Sequence, residues 1–127
     1  MIKNMEDLQM AIFNLRSYRP PNSFAFIGRE QGQHARKTLD LDRLDTSEEI
    51  VELIVPNDTT SFNPSFFLGL LYNSISKLGI DKFRKKYNFV FETDNISLQK
   101  VLRMNIEDGI RNANNSLNSR SGLSVFK

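Results

Sequence analysis

The 127-residue sequence contains no cysteine. That absence excludes disulfides, thiolate metal sites and cysteine nucleophiles together, and it fits a cytosolic chain. Histidine occurs once, as His34. A metal site or a general base needs a second specific group in reach, and no HExxH-type spacing accompanies it, so His34 reads as an exposed residue on a polar helix. Long apolar runs are missing too. The longest, Phe66 to Tyr72, is far short of the roughly 20 residues that span a bilayer. The opening stretch MIKNMEDLQMAIFNLRSYRPP is interrupted by Glu6, Asp7 and Gln9, so no signal-peptide core forms. A cytoplasmic protein with no membrane partner is expected.

Several chemical signatures are absent as well. The glycines around Arg29 to Gly32 and from Gly69 to Gly79 match neither the Walker nor the dinucleotide pattern. Asp40, Asp42 and Asp45 alternate in LDLDRLD, but no EF-hand spacing follows, so they read as a solvated face. Glu92 and Asp94 follow a strand, where helix capping by Asn95 accounts for them. No nucleophile–base pair and no metal cluster is evident. The expectation is a protein that is not an enzyme, with no catalytic residues, no metal and no cofactor.

What is present is an ordinary globular composition, 39% apolar and 25% charged, in a length that makes one domain. Met5 to Arg16 places Leu8, Ile12 and Leu15 at helical spacing and predicts a helix ended by Pro20 and Pro21. Ser23 to Ile27 reads as a strand closed by Gly28. A thin apolar stripe of Ala35, Leu39, Leu41 and Leu44 predicts a helix whose start Gly32 weakens. Ile50 to Val55 is β-branched and stopped by Pro56, a buried strand. Pro64 sits where a first helical residue should, with Asn63 as N-cap and Gly79 as terminator. Asp81 to Lys86 reads as a charged connector and Tyr87 to Phe91 as a strand. Asn95 or Ser97 caps a last helix bearing Leu98, Val101, Leu102, Ile106 and Ile110. Asn112 to Lys127 is rich in Asn and Ser and reads as a flexible tail, with Leu123, Val125 and Phe126 available for a late strand.

The predicted order is α-β-α-β-α-β-α, then tail, which implies an α/β fold with crossover connections, parallel pairing, and helices on a sheet in two or three layers. The domain covers residues 1–113, including an added N-terminal helix over 1–20, and the polar tail covers 114–127.

From Gly28 to about Ala113 the chain resembles the STAS-like domain family, which is related to sulfate-transporter and anti-sigma-factor-antagonist domains. The resemblance is carried by Gly28-Arg29, Ala35-Arg36, the strand IVELIV, the loop and helix TTSFNPSFFLGLLYNSI, and YNFVF with its following helix. Its most specific piece is Asn63-Pro64-Ser65-Phe66-Phe67. The resemblance implies a bacterial or phage regulatory module that binds a protein through the junction residues Thr59, Thr60, Ser61, Asn63, Ser65 and Phe66. It implies an ATPase or kinase-like partner, with Ser65 in the place of the phosphorylated serine. The antagonists usually carry aspartate before that serine and a small residue after it. Here Pro64 and Phe66 stand there, so the resemblance carries the interaction role further than the phosphoswitch.

Two other readings stand beside it. A short, compact domain fits a phage or mobile-element protein that inhibits a host complex by binding. The basic run Lys82, Arg84, Lys85 and Lys86, interleaved with Phe83 and Tyr87 and extended by Lys100, Arg103 and Arg111, fits nucleic-acid contact. The net charge of only +2 favours a solvated connector instead. A homo-oligomer through a sheet edge or the Phe126 tail is also open.

Overall fold

A computed structural model describes residues 9–125. The fold is α/β. Among the described residues, strand β1 (Met10–Asn14) leads into a 3-10 turn (Leu15–Tyr18), then β2 (Ala25–Phe26), α1 (Arg29–Thr38), α2 (Leu41–Asp45), β3 (Ile50–Val55), β4 (Ser61–Phe62), α3 (Pro64–Leu78), α4 (Ile80–Lys86), β5 (Tyr87–Phe91) and α5 (Ile96–Val125). Every strand pairing is parallel: β1-β3-β5 form one sheet and β2-β4 a second, two-stranded one. Parallel neighbours require crossovers, and the helices between β1, β3 and β5 supply them, as the alternating order predicted.

The predicted N-terminal helix is corrected. Met10–Asn14 is an edge strand paired with β3, while residues 1–8 of that expectation lie outside the described residues. Leu8, Ile12 and Leu15 fit a helix, but MAIFN also alternates. Ala11 and Phe13 turn toward the core, while Met10 and Ile12 stay exposed. A short run of this kind is ambiguous by periodicity alone, and pairing with the buried β3 decides it.

The central predictions hold. The strands Ile50–Val55 and Tyr87–Phe91 and the helix Pro64–Leu78 have the expected bounds. Asn63 caps α3 by accepting a hydrogen bond from the Ser65 N–H at 2.8 Å, and Gly79 ends the helix at φ +79°. The helix predicted to run on through Leu44 is broken instead at Asp40, which takes a left-handed φ of 58° between α1 and α2.

Two polar segments proved helical. The expected connector 81–86 lies within α4, anchored by the buried Phe83. The expected tail from Asn112 continues α5 to Val125, which removes the late strand for Leu123 and Val125; Phe126 lies outside the described residues. Leu102, Ile106, Ile110, Ala113 and Leu117 pack on the core at steps of three and four. That stripe crosses the Asn-rich stretch and holds it in a helix despite its composition.

The core is centred on α3. Phe26, Phe62, Phe66, Phe67 and Phe89 form a ring cluster with centroids 5.0–6.4 Å apart, a range typical of packed aromatic pairs. Helices α1 and α3 approach so closely that a Cβ built on Gly32 would lie 2.2 Å from the Phe66 carbonyl oxygen. One built on Gly69 would lie 2.2 Å from that of Arg29. Gly32 is therefore not a weak helix start but half of a backbone contact.

Among the described residues, helices cover one side of the larger sheet. Val51, Leu53, Val55 and Tyr87 are buried there. On the other side the register sets Met10 beside Ile50, and Glu52 and Ile54 of the central strand between Ile12 and Asn88 and between Asn14 and Val90. None of those residues is buried.

Candidate functional site

Because β2 and β4 pair in parallel and each runs straight into a helix, α1 and α3 begin side by side. The loop before α3 is stitched on both flanks. The Thr60 N–H donates to the Phe24 carbonyl at 2.6 Å and the Asn63 N–H to that of Phe26 at 2.9 Å. The Phe62 N–H donates to Asn105 Oδ1 on α5 at 2.9 Å.

The predicted junction residues separate into two groups. Thr60 and Ser65 are exposed and Ser61 is half-buried. Thr59 is buried, donating to the Pro56 carbonyl and accepting from Arg19. Phe66 is fully buried in the ring cluster. Thr59, Phe66 and the cap Asn63 thus support the junction from within, and Phe66 is not a surface contact.

Two surface residues escaped the sequence reading. Phe24 and Ile27 flank β2 and are 58% and 51% exposed. The run SFAFI reads as one strand, but only Ala25–Phe26 pairs. Its apolar ends are therefore left on the surface, beside Thr60 on one side and the start of α1 on the other.

The basic run is on the surface of α4, but half of it is committed. Arg84 makes a two-point contact with Glu107 at 2.8 Å and 2.8 Å, and that hydrogen bond holds the Glu107 carboxyl below its usual pKa. Lys86 donates to the Ser47 and Glu49 carbonyls at 2.7 and 2.6 Å. Lys82 and Lys85 remain exposed. Of the predicted extension, Arg103 stacks over Phe91, Arg111 pairs with Asp108, and Lys100 projects alone. Glu92 accepts from the Asn57 N–H and lies 3.6 Å from Arg16, a tie between loops.

The solvated-face reading of the acidic cluster is corrected for Asp45. Its side chain is fully buried. It accepts from Arg36 at 2.7 Å, from the Tyr87 hydroxyl at 2.5 Å, and from the Ser74 hydroxyl at 2.8 Å. Arg36 is itself buried, donating also to the Leu70 carbonyl, to Ser74 and to the exposed Asp42. The Arg36 hydrogen bond lowers the Asp42 pKa. This cluster joins α1, α2, α3 and β5, and no buried side-chain polar atom among the described residues lacks a partner. Ser74 was the legible clue. It lies among Leu70, Leu71 and Ile75 on the buried side of α3, where a hydroxyl needs a partner.

Burial first, and then the hydrogen bond to Asp45, push the Tyr87 phenol well above its ordinary pKa. A group raised in the folded state contributes stability that is full below the unfolded value, about 10, and is lost as pH climbs above it. Urea midpoints measured across alkaline pH should therefore fall above that value. The fall should be shallower in Tyr87→Phe. Parallel curves for the two proteins would place the tyrosine outside the network.

His34 is exposed, its ring edge-on to Tyr18 at 6.0 Å. Among the described residues no three His, Cys, Asp or Glu side chains group as metal ligands, and no helix is long and apolar enough to cross a membrane.

The geometry defines a small α/β domain with parallel sheets, a tightly seated α1–α3 pair, and a surface junction where those helices begin. No protein-family model, curated protein or solved structure matches the chain.

Proposed function

We propose that the chain is a non-catalytic, regulatory protein–protein interaction module of STAS-like type. Its working surface is Thr60, Ser61 and Ser65 together with Phe24 and Ile27. The observation that carries the reading is the exposure of Phe24 and Ile27, at 58% and 51%, at the two ends of the strand that braces the junction loop. Large apolar side chains rimmed by hydroxyls are what a protein-binding surface uses as anchors. An ATPase or kinase-like regulator in the cytoplasm is the partner class, on family analogy. Ser65, exposed in the first turn of α3, is the position where a phosphate would be favoured by the helix dipole and would add charge to this surface.

Nucleic-acid binding is the weaker reading, because Arg84 and Lys86 are already engaged within the fold. The test is parallel affinity capture from the native host with the natural chain and a Phe24→Asp/Ile27→Asp variant, read by quantitative mass spectrometry. Loss of an anchor pair should deplete the true partner at least about tenfold. Equal recovery of every protein on both baits, or recovery of nucleic acid alone, would overturn the proposal.

A further inference from the structure

Helices α1 and α3 meet backbone to backbone at Gly32 and Gly69. Beside Gly69 the two helices leave a cleft of about 450 Å³. Small-ligand sites span about 300–1,000 Å³ and are mostly apolar with a few placed polar groups. Here the balance is reversed. Arg29, Gln33 and Lys37, at steps of four along α1, face the cleft with Leu68, Tyr72 and Asn73 of α3. Leu68 is the one aliphatic side chain in the lining. The side chains of the other five make no hydrogen bond, ion pair or ring contact among the described residues. They converge on one hollow without serving the fold.

Charge in the cleft is answered unevenly. Asp42 accepts twice from Arg36, at 2.6 and 3.1 Å, and Asp40 accepts from Arg43 at 2.9 Å. Glu30, the acid next to Arg29, is not part of the lining. Arg29 and Lys37 are therefore left without a carboxylate. A second hollow, of about 390 Å³, shares Asp42 and Asn73 with the cleft and adds Ser76 and the cation Lys77. A concave surface with a surplus of one sign draws in the opposite charge.

We infer that this cleft binds a small phosphorylated molecule with a hydroxylated body. Arg29 and Lys37 hold the phosphate, and Gln33, Tyr72 and Asn73 hold the hydroxyls. Two cations without partners match the charge of about −1.5 to −2 on a phosphate monoester, whereas a carboxylate would balance only one of them. The Cα atoms of Arg29 and Lys37 are separated by about 12 Å along α1, a gap that a guanidinium fork and a flexible lysine stem can close on one group between them. The two amides and the phenol each donate and accept, as hydroxyl recognition requires. The cleft includes none of Phe24, Ile27, Thr60, Ser61 and Ser65, so the inference does not depend on the reading of that site.

NMR titration of the isotope-labelled full chain tests it, with glycerol phosphate, inorganic phosphate and, at matched ionic strength, sodium chloride. Glycerol phosphate should shift the signals of Gln33, Lys37 and Asn73 saturably, with a Kd of about 1 mM or below. Inorganic phosphate should shift the same residues but bind at least about threefold more weakly, because it lacks the hydroxyls. Arg29→Gln combined with Lys37→Gln should weaken both at least about tenfold. Tyr72→Phe combined with Asn73→Ala should bring glycerol phosphate down to the affinity of inorganic phosphate and leave the latter unchanged. Lys82→Gln combined with Lys85→Gln, which removes two exposed cations of α4, should leave binding within about twofold. Circular dichroism confirms that each variant is folded. No saturable shift, shifts that sodium chloride reproduces or that centre on α4, equal affinity for the two phosphates, or binding that survives Arg29→Gln with Lys37→Gln would each overturn the inference.

Discussion

Asp45→Ala should destabilise the domain by about 3–5 kcal/mol, the range for removing one partner of a buried ion pair. The carboxylate accepts from Arg36, Ser74 and Tyr87, and its removal leaves a guanidinium that is only 6% exposed facing nothing of opposite charge at that site. Asp42, the other acid on Arg36, is 72% exposed and too well solvated to replace it. For a domain whose total stability is about 5–15 kcal/mol, the loss would leave a substantial unfolded fraction. Adding Arg36→Met to Asp45→Ala should recover much of the difference, because replacing both buried charges with apolar groups is often neutral. Urea denaturation of the natural chain, the single variant and the double variant measures this. A single-variant loss below about 1 kcal/mol, the scale of a solvated pair, would show that Asp45 is not held in a dry site.

Gly69→Ala should be the second large effect. In an open helix the substitution would gain about 1 kcal/mol from propensity. Here the new Cβ would meet the Arg29 carbonyl oxygen at 2.2 Å and the Gln33 nitrogen at 3.0 Å. Both belong to backbone that cannot move without displacing α1. The steric cost reaches the upper part of the overpacking range, about 3 kcal/mol, and outweighs the propensity gain, so the urea midpoint falls. Gly32→Ala should act in the same direction, since its Cβ meets the Phe66 carbonyl oxygen. A stabilised Gly69→Ala protein would mean that α1 and α3 sit farther apart.

These two sites also show where sequence reading stops. Helix α3 was legible because local chemistry marks both ends: Asn63 accepts from the Ser65 N–H, Pro64 needs no N–H, and Gly79 takes a positive φ. Strand β3 was legible because a β-branched run ended by Pro56 has few alternatives. β1 was not, because Ile12 serves a helical stripe and an alternating strand equally well, and its partner β3 lies about forty residues away in sequence. The α5 extension was masked by Asn and Ser, although Ile110, Ala113 and Leu117 continued the apolar stripe through them. Asp45 looked like its solvated neighbours in LDLDRLD. Only the left-handed turn at Asp40 and the meeting of α2 with Arg36, Ser74 and Tyr87 separate it from Asp42.

For the junction, sequence located the loop and cap but not its surface. Phe66 reads as a contact residue from its place after Ser65, yet helical geometry turns it into the ring cluster. Phe24 reads as part of a strand from SFAFI, yet pairing stops at Ala25. What no local pattern records is that the β2–β4 pairing brings the sequence-distant Thr60 to Ser65 segment beside the strand that Phe24 and Ile27 flank.

The central claim is that this braced junction, and not the α4 basic run, meets a protein partner. Site-specific photo-crosslinking in the native host tests it most directly, with a photoreactive phenylalanine analogue placed at Phe24 or, in a separate chain, at Lys82. The proposal predicts one discrete protein adduct from position 24 and none from position 82. Adducts from position 82 alone, or crosslinks to nucleic acid at either position, would contradict it.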